Sequence, residues 1–226
     1  MRRVALAAVR LRRRRWAVGR PPMRRQGAVF ANAKTHAIFG HLFVSSRLPP
    51  ALDEFARSHL PDLWALHPAT FHSIRQPFTG KIIPLPRWQQ AYGCDYAYTG
   101  SVNVALPIPP ILDPFLGFAQ GELDPRLNGL LLNWYDAEQH HYIGAHSDSI
   151  VGLVKGTPIV TITVGATRTF RLRPRKGTPF VDFPASHGTV FVMPWETNLN
   201  TRHEVPWLKS ATGRRISITA RAFGRK

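Results

Sequence analysis

The chain has 226 residues, 44% of them hydrophobic, which is enough for one sizeable domain with its own core and argues against an intrinsically disordered chain. No apolar run approaches the ~18 residues that span a bilayer, and the lone Cys94 excludes an intramolecular disulfide while fitting a reducing compartment. The net charge of +17 is unevenly placed: residues 1–25 hold ten arginines and no acid, and the remainder carries 20 basic against 13 acidic side chains, a balance that fits contact with phosphates.

Residues 1–27 read as a basic arm without stable structure, outside the folded domain expected over 28–226. The arm is Arg-rich and acid-free, as mitochondrial transit peptides are, but poor in serine. It also fits a tail that docks on nucleic acid, or an over-extended start, since Met23 lies just before the globular sequence. Phe39–Val44 reads as a short strand. Pro49-Pro50 opens a helix over Ala51–His59, limited by Pro61. Residues 77–100, rich in Pro, Gly and aromatics, read as extended segments and turns. Pro109-Pro110 precedes a second helix, Ile111–Ala119, ended by Gly121. After Asn128-Gly129 the pattern becomes β-rich, with strands expected over Leu130–Tyr135, Pro158–Val164, Thr169–Leu172, Thr189–Met193 and Arg215–Ala222. Short strands with turn signals and no alternating helices predict an α+β fold: a double-stranded β-helix (jelly roll) core with N-terminal helices packed on it.

The chemistry concentrates in the C-terminal third. His146-Ser147-Asp148 places two ligand types at i and i+2, which on a strand project to one face. His203 supplies a third donor from another strand. Two histidines and one carboxylate form the facial set that holds non-haem Fe(II) and leaves positions open for a co-substrate and O₂. Arg215 and Arg221 follow, and an arginine there can hold a carboxylate co-substrate such as 2-oxoglutarate through a charge-assisted pair. His140, His141 and His187 compete for the metal, but the first two lie off the phase of the motif and the third sits at a turn before Gly188.

Around this set the chain resembles the AlkB family of Fe(II)- and 2-oxoglutarate-dependent dioxygenases. The resemblance rests on an ordered series from about Phe39 to Phe223: Pro86-Arg87-Trp88-Gln89-Gln90-Ala91-Tyr92-Gly93, Tyr96-Ala97-Tyr98-Thr99-Gly100, Asn133-Trp134-Tyr135, Tyr142 through Asp148, Thr157 through Phe170, His187-Gly188, and Arg215 with Arg221. It implies that His146, Asp148 and His203 bind iron. It implies further that Arg215 holds the distal carboxylate of 2-oxoglutarate, that Asn133 and Tyr135 hydrogen-bond the co-substrate, and that Arg221 approaches its C1 carboxylate. The implied reaction consumes 2-oxoglutarate and O₂, hydroxylates an N-alkyl carbon of a nucleic-acid base, and releases succinate, CO₂ and formaldehyde. A base flipped from its stack would lie between Tyr98 and the His146 ring, with Tyr96 lining the pocket. Phe78 in Phe78-Thr79-Gly80-Lys81 would enter the stack, and Arg87, Arg168, Arg171, Arg173, Arg175 and Lys176 are candidate phosphate contacts.

Two departures bear on substrate. Where many repair members carry acids after the metal motif, this chain has Ser149-Ile150, so Ile150 suits a neutral modified base or a different substrate. Ser217 replaces the asparagine usual between the two arginines in the family; its hydroxyl can still hydrogen-bond the co-substrate, with shorter reach. The principal alternative is a hydroxylase or demethylase of the same kind acting on protein or a small molecule; a further one is a basic nucleic-acid binder on an inactive roll. The expected protein is a monomer, not membrane-bound and not secreted. It would be cytoplasmic in a bacterium, and nuclear or mitochondrial in a eukaryote.

Overall fold

The computed structural model describes residues 32–224 apart from Pro77; the basic arm lies outside them. In chain order the elements are β1 (Lys34–Ile38), β2 (His41–Arg47), α1 (Pro50–Ser58), α2 (Leu60–Ala65), β3 (Ser73–Arg75), β4 (Ile82–Pro84), β5 (Trp88–Tyr92), β6 (Tyr96–Tyr98) and β7 (Ser101–Asn103). A 3₁₀ turn (Pro110–Leu112) leads into α3 (Asp113–Glu122), then β8 (Gly129–Asp136), β9 (Ile143–His146), β10 (Ile159–Gly165), β11 (Arg168–Pro174), β12 (Val181–Ala185) and β13 (Thr189–Met193). The short α4 (Trp195–Asn200), β14 (Thr201–Val205) and β15 (Arg214–Arg221) complete the fold.

Two antiparallel sheets make the roll. The larger has the order β1-β2-β13-β10-β15-β8-β5, the smaller β12-β11-β14-β9, and β3-β4 and β6-β7 are separate hairpins. The fold is the jelly roll expected from the strand pattern, with helices on one face. Alternation along the central strands explains the layering. Leu130, Leu132 and Trp134 of β8, Val160, Ile162 and Val164 of β10, and Ile216, Ile218 and Ala220 of β15 share one core with Ala56, Leu63, Leu112, Phe115 and Ala119 from the helical side. The indole N–H of Trp134 donates to the Leu63 carbonyl at 2.9 Å and ties α2 to the sheet.

The opposite face of the same strands carries the polar residues. Cross-strand register aligns Gln89 with Asn133, Asn133 with Ser217, and Ser217 with Thr163, one row across four strands. The neighbouring row sets Tyr135 against Arg215. A second core between the sheets joins Phe43, Tyr135, Phe191 and Met193 to Phe170, Leu172 and Val205 of the smaller sheet. A sheet that is apolar towards its helices and polar towards its partner sheet encloses a site by construction.

Several elements differ from the sequence-based expectations. The strand expected from Phe39 begins at His41; Phe39 and Gly40 form the β1–β2 hairpin turn, both with positive φ (50° and 80°). Pro61 does not merely end a helix. It lies in the first turn of α2, where its missing N–H is not required.

Candidate active site

His146 ends β9 and His203 lies in β14, and the two are direct cross-strand partners on the smaller sheet. Asp148 follows two residues on. One ligand atom from each of His146, Asp148 and His203 lies within 4.8 Å of the others. The Nε2 atoms of His146 and His203 stand 3.6 and 3.7 Å from Asp148 Oδ1. The Nδ1–H of His146 donates to the Gly144 carbonyl at 2.8 Å, which directs Nε2 towards Asp148.

The loop carrying Asp148 is clamped by α4. The Asp148 N–H donates to Asn198 Oδ1 at 2.8 Å, and the Asn198 amide donates back to the Asp148 carbonyl at 3.1 Å. Ser147, turned away from the triad, donates to the Thr201 carbonyl at 2.6 Å. Asn198 is a positioning residue that the sequence did not point to, because only the fold brings α4 to the metal motif.

Asp148 Oδ2 accepts two hydrogen bonds from Arg221, 3.2 Å from Nε and 2.7 Å from Nη2, with both side chains buried. Burial raises the carboxyl's pKa, but Arg221 and the two histidines outweigh it and hold the group ionised well below the usual carboxylate range. Arg221, which also lines the cavity, gives its Nε and Nη2 to the Asp148 carboxylate, and its guanidinium stacks over Tyr96 at 4.5 Å. Burial, then the neighbouring His146, lowers the His203 pKa to about 3, so its imidazole is neutral, the state in which it ligates a metal.

The three residues line one side of a cavity of about 490 Å³, a size that takes small ligands. Arg215 lies in its wall, 1% exposed. One guanidinium nitrogen, Nη2, donates to Thr163 Oγ1 at 3.1 Å, and Nε and Nη1 are buried without a partner among the described residues. The Tyr135 ring lies 5.1 Å below the guanidinium, and Ser217 is in the same lining. Asn133 Oδ1 accepts from Arg87 Nε and Gln89 Nε2, both at 2.8 Å.

Tyr96 and Tyr98 also line the cavity, their rings 5.3 Å apart. The Tyr96 hydroxyl accepts the Ser149 N–H at 3.1 Å, and the Tyr98 hydroxyl donates to Gln89 Oε1. Burial pushes the Tyr98 hydroxyl up to about 12, so it stays protonated.

The structure separates other candidates from the site. Ile150 is half exposed and does not line the cavity, although Ser149 does. Arg87, expected at a phosphate, is 4% exposed and stands inside the cavity. Arg168 is buried and donates to the Thr212 and Gly213 carbonyls at 2.7 and 2.8 Å, which leaves no outward face for a phosphate. Arg171 pairs with Asp182 at 2.6 Å and Arg173 with Glu204 at 2.6 Å, so this run of cations is largely neutralised. Arg175 is exposed but donates to the Leu199 carbonyl at 2.7 Å. Phe78 stands at the tip of the β3–β4 hairpin, 101% exposed. Among the described residues no other cluster of three His, Cys, Asp or Glu side chains could hold a metal.

A jelly roll with a His-x-Asp and a distant His on its smaller sheet, and a buried arginine across the cavity, is the architecture of an iron- and 2-oxoglutarate-using oxygenase. The sequence profile of the 2OG-Fe(II) oxygenase superfamily matches residues 65–221, and the chain belongs to that family. It is 29% identical over 153 residues to human DNA oxidative demethylase ALKBH2, covering 63% of this chain and 58% of that one. It is 30% identical over 160 residues to the rat alpha-ketoglutarate-dependent dioxygenase alkB homolog 3, covering 66% of this chain and 52% of that one. The chain thus spans little more than half the length of these relatives. The solved structure of OsALKBH1 shares the fold, with a TM-score of 0.52 and 14% identity over 79% of this chain and 96% of that one.

Fe(II) and 2-oxoglutarate fit the residues present. A neutral imidazole and an ionised carboxylate are the donor states Fe(II) requires. The two unpartnered N–H groups of buried Arg215 are the complement of a carboxylate.

Burial also lowers the pKa of His36, His72, His141 and His187, as it does that of His203. A histidine with a folded pKa below its unfolded value leaves the unfolded state holding more protons once the pH drops below about 6.5. The metal-free protein is therefore expected to lose stability steadily from pH 7 downwards, with His203 contributing down to its folded value of about 3. Thermal melts at pH 7.5 and 5.5 check this; an equal Tm at both contradicts it.

Proposed function

We propose that the chain oxidatively dealkylates modified bases of nucleic acid, using Fe(II), 2-oxoglutarate and O₂. The observation that carries the reading is the convergence of three features on one cavity: the His146–Asp148–His203 set, the unpartnered Arg215, and the ring pair Tyr96–Tyr98. The likeness to a DNA oxidative demethylase supports the substrate class.

In this reading His146, Asp148 and His203 hold the iron, and Arg215 receives the distal carboxylate of 2-oxoglutarate beside Tyr135 and Ser217. Iron and 2-oxoglutarate, when bound there, would supply the oxidation by O₂ that hydroxylates an N-methyl carbon, with succinate and CO₂ as co-products. The N-hydroxymethyl product then breaks its C–N bond, returning a proton to the base nitrogen and releasing formaldehyde. Arg221 keeps Asp148 ionised, α4 fixes its backbone, and Tyr98 presents a ring on which an extruded base stacks.

Phe78 extends the reading to duplexes. The hairpin beneath it is closed by Gln76 N–H to the Lys81 carbonyl (2.8 Å), Gly80 N–H to the Gln76 carbonyl (2.9 Å) and Arg75 Nη1 to the Gly80 carbonyl (3.0 Å). A phenyl ring held fully in water forgoes the ~1.5–3 kcal/mol that burial would give, so a role in contacting a partner accounts for it. Incubation with methylated single- and double-stranded oligonucleotides is expected to release formaldehyde and succinate in equal amounts. Phe78→Ala should depress duplex turnover about tenfold more than single-strand turnover, the size of one lost stacking contact. No formaldehyde from any methylated DNA or RNA, with iron and 2-oxoglutarate bound, contradicts the proposal.

A further inference from the structure

We infer that Arg87 reads the edge of the substrate base and selects a neutral base bearing carbonyl oxygens over a cationic one, an inference that rests on the dealkylase reading above.

The polar groups around the two tyrosines are already committed. Tyr98 donates its hydroxyl proton to Gln89 Oε1, and Gln89 Nε2 donates to Asn133 Oδ1. Tyr96 accepts the Ser149 N–H, and Ser147 donates to the Thr201 carbonyl. The tyrosines therefore offer rings rather than reading groups. Arg87 is held by one bond, Nε to Asn133 Oδ1 at 2.8 Å. Its Nη1 and Nη2 make no hydrogen bond among the described residues, although the side chain is 4% exposed and lines the cavity. Four N–H bonds of a fixed planar fork thus face the cavity, and they can meet only acceptors.

Charge points the same way. Among the described residues Asp148 is the one acid lining the cavity, and its Oδ2 is occupied by Arg221. No other carboxylate among the described residues lines the cavity to neutralise Arg87. Its positive field reaches Tyr98 and His72, where it pulls both pKa values down after the larger effect of burial. A base methylated to a cation would enter against this charge, with no acid among the lining residues to receive it. A neutral base such as 3-methylthymine or 1-methylguanine brings carbonyl oxygens that pair with the guanidinium.

The test uses the full chain and four oligonucleotides of one sequence, carrying 3-methylthymine, 1-methylguanine, 1-methyladenine or 3-methylcytosine. Turnover is measured as kcat/KM for each, and binding by fluorescence anisotropy with metal-free protein. The wild type should favour the two neutral bases at least tenfold in both readouts. Arg87→Gln should collapse that ratio towards unity, and Arg87→Lys should restore part of it. Preference for the cationic bases, or a ratio unchanged in Arg87→Gln, overturns the inference and leaves the dealkylase reading standing. If Arg87→Gln instead weakens the apparent affinity for the co-substrate tenfold and keeps the base preference intact, Arg87 belongs to the co-substrate and the inference is again overturned. Absence of turnover on all four, with none bound more tightly than the unmodified strand, removes both readings together.

Discussion

Asp148→Ala is expected to abolish Fe(II) binding and turnover and, separately, to destabilise the fold. Loss of an outer partner of a metal ligand already weakens a site about 10–100-fold, so loss of a ligand should exceed the upper figure. The second effect comes from Arg221. Its guanidinium, buried with Asp148 and bonded to it twice, is left as a charge without a counter-ion. Breaking one side of a buried pair costs about 3–5 kcal/mol, whereas replacing both partners by apolar groups is often neutral. The double variant Asp148→Ala/Arg221→Met should therefore regain stability without regaining metal binding. Urea melts of both variants, with Fe(II) titration, separate the two roles. Equal stability of Asp148→Ala and wild type would show that the pair does not matter to the fold.

Arg215→Met should do the opposite to stability. In the metal-free protein the arginine is a buried cation with one hydrogen bond, to Thr163, and two N–H groups unpartnered. Removing it forfeits one hydrogen bond, about 1 kcal/mol, and relieves the larger cost of an unpaired buried charge. The Tm of the metal-free variant should rise above wild type. The affinity for 2-oxoglutarate should fall by about two to four powers of ten, since two charge-assisted hydrogen bonds of about 1.5–3 kcal/mol each are lost. Stabilisation of the wild type by 2-oxoglutarate should vanish in the variant. An unchanged affinity for the co-substrate would place its carboxylate elsewhere.

The core of the site was legible because strand geometry is periodic. Spacing of i and i+2 joined His146 to Asp148, and Arg215 stood out as a cation behind the motif; the roles of Ser217 and Arg221 came from the family resemblance, and β15 sets the three on one face at steps of two and four residues. The strands that went unread carry the site or edge the sheet. β14 alternates buried Thr201, His203 and Val205 with outward Arg202 and Glu204, so its inner face is too polar to register as a core strand. β12 contains Pro184, which an edge strand tolerates.

Partnerships across the fold were the least legible. Arg171 and Arg173 look like a basic face until Asp182 and Glu204 are brought beside them. Arg87 looks like a surface cation until its place just ahead of β5 sets it against Asn133 in the cavity wall, and the bond from Arg221 to Asp148 shows only in the fold. Ile150, expected to bear on the substrate, is outside the cavity lining, whereas Arg87 is within it.

The most direct test of the iron- and 2-oxoglutarate-binding centre is an anaerobic calorimetric titration of the purified chain with Fe(II) and then with 2-oxoglutarate. One Fe(II) per chain should bind, followed by one 2-oxoglutarate. His203→Ala should lose the first, and Arg215→Met should keep the first and lose the second. Stoichiometric Fe(II) binding that survives in His203→Ala, or 2-oxoglutarate binding that survives in Arg215→Met, would contradict the assignment.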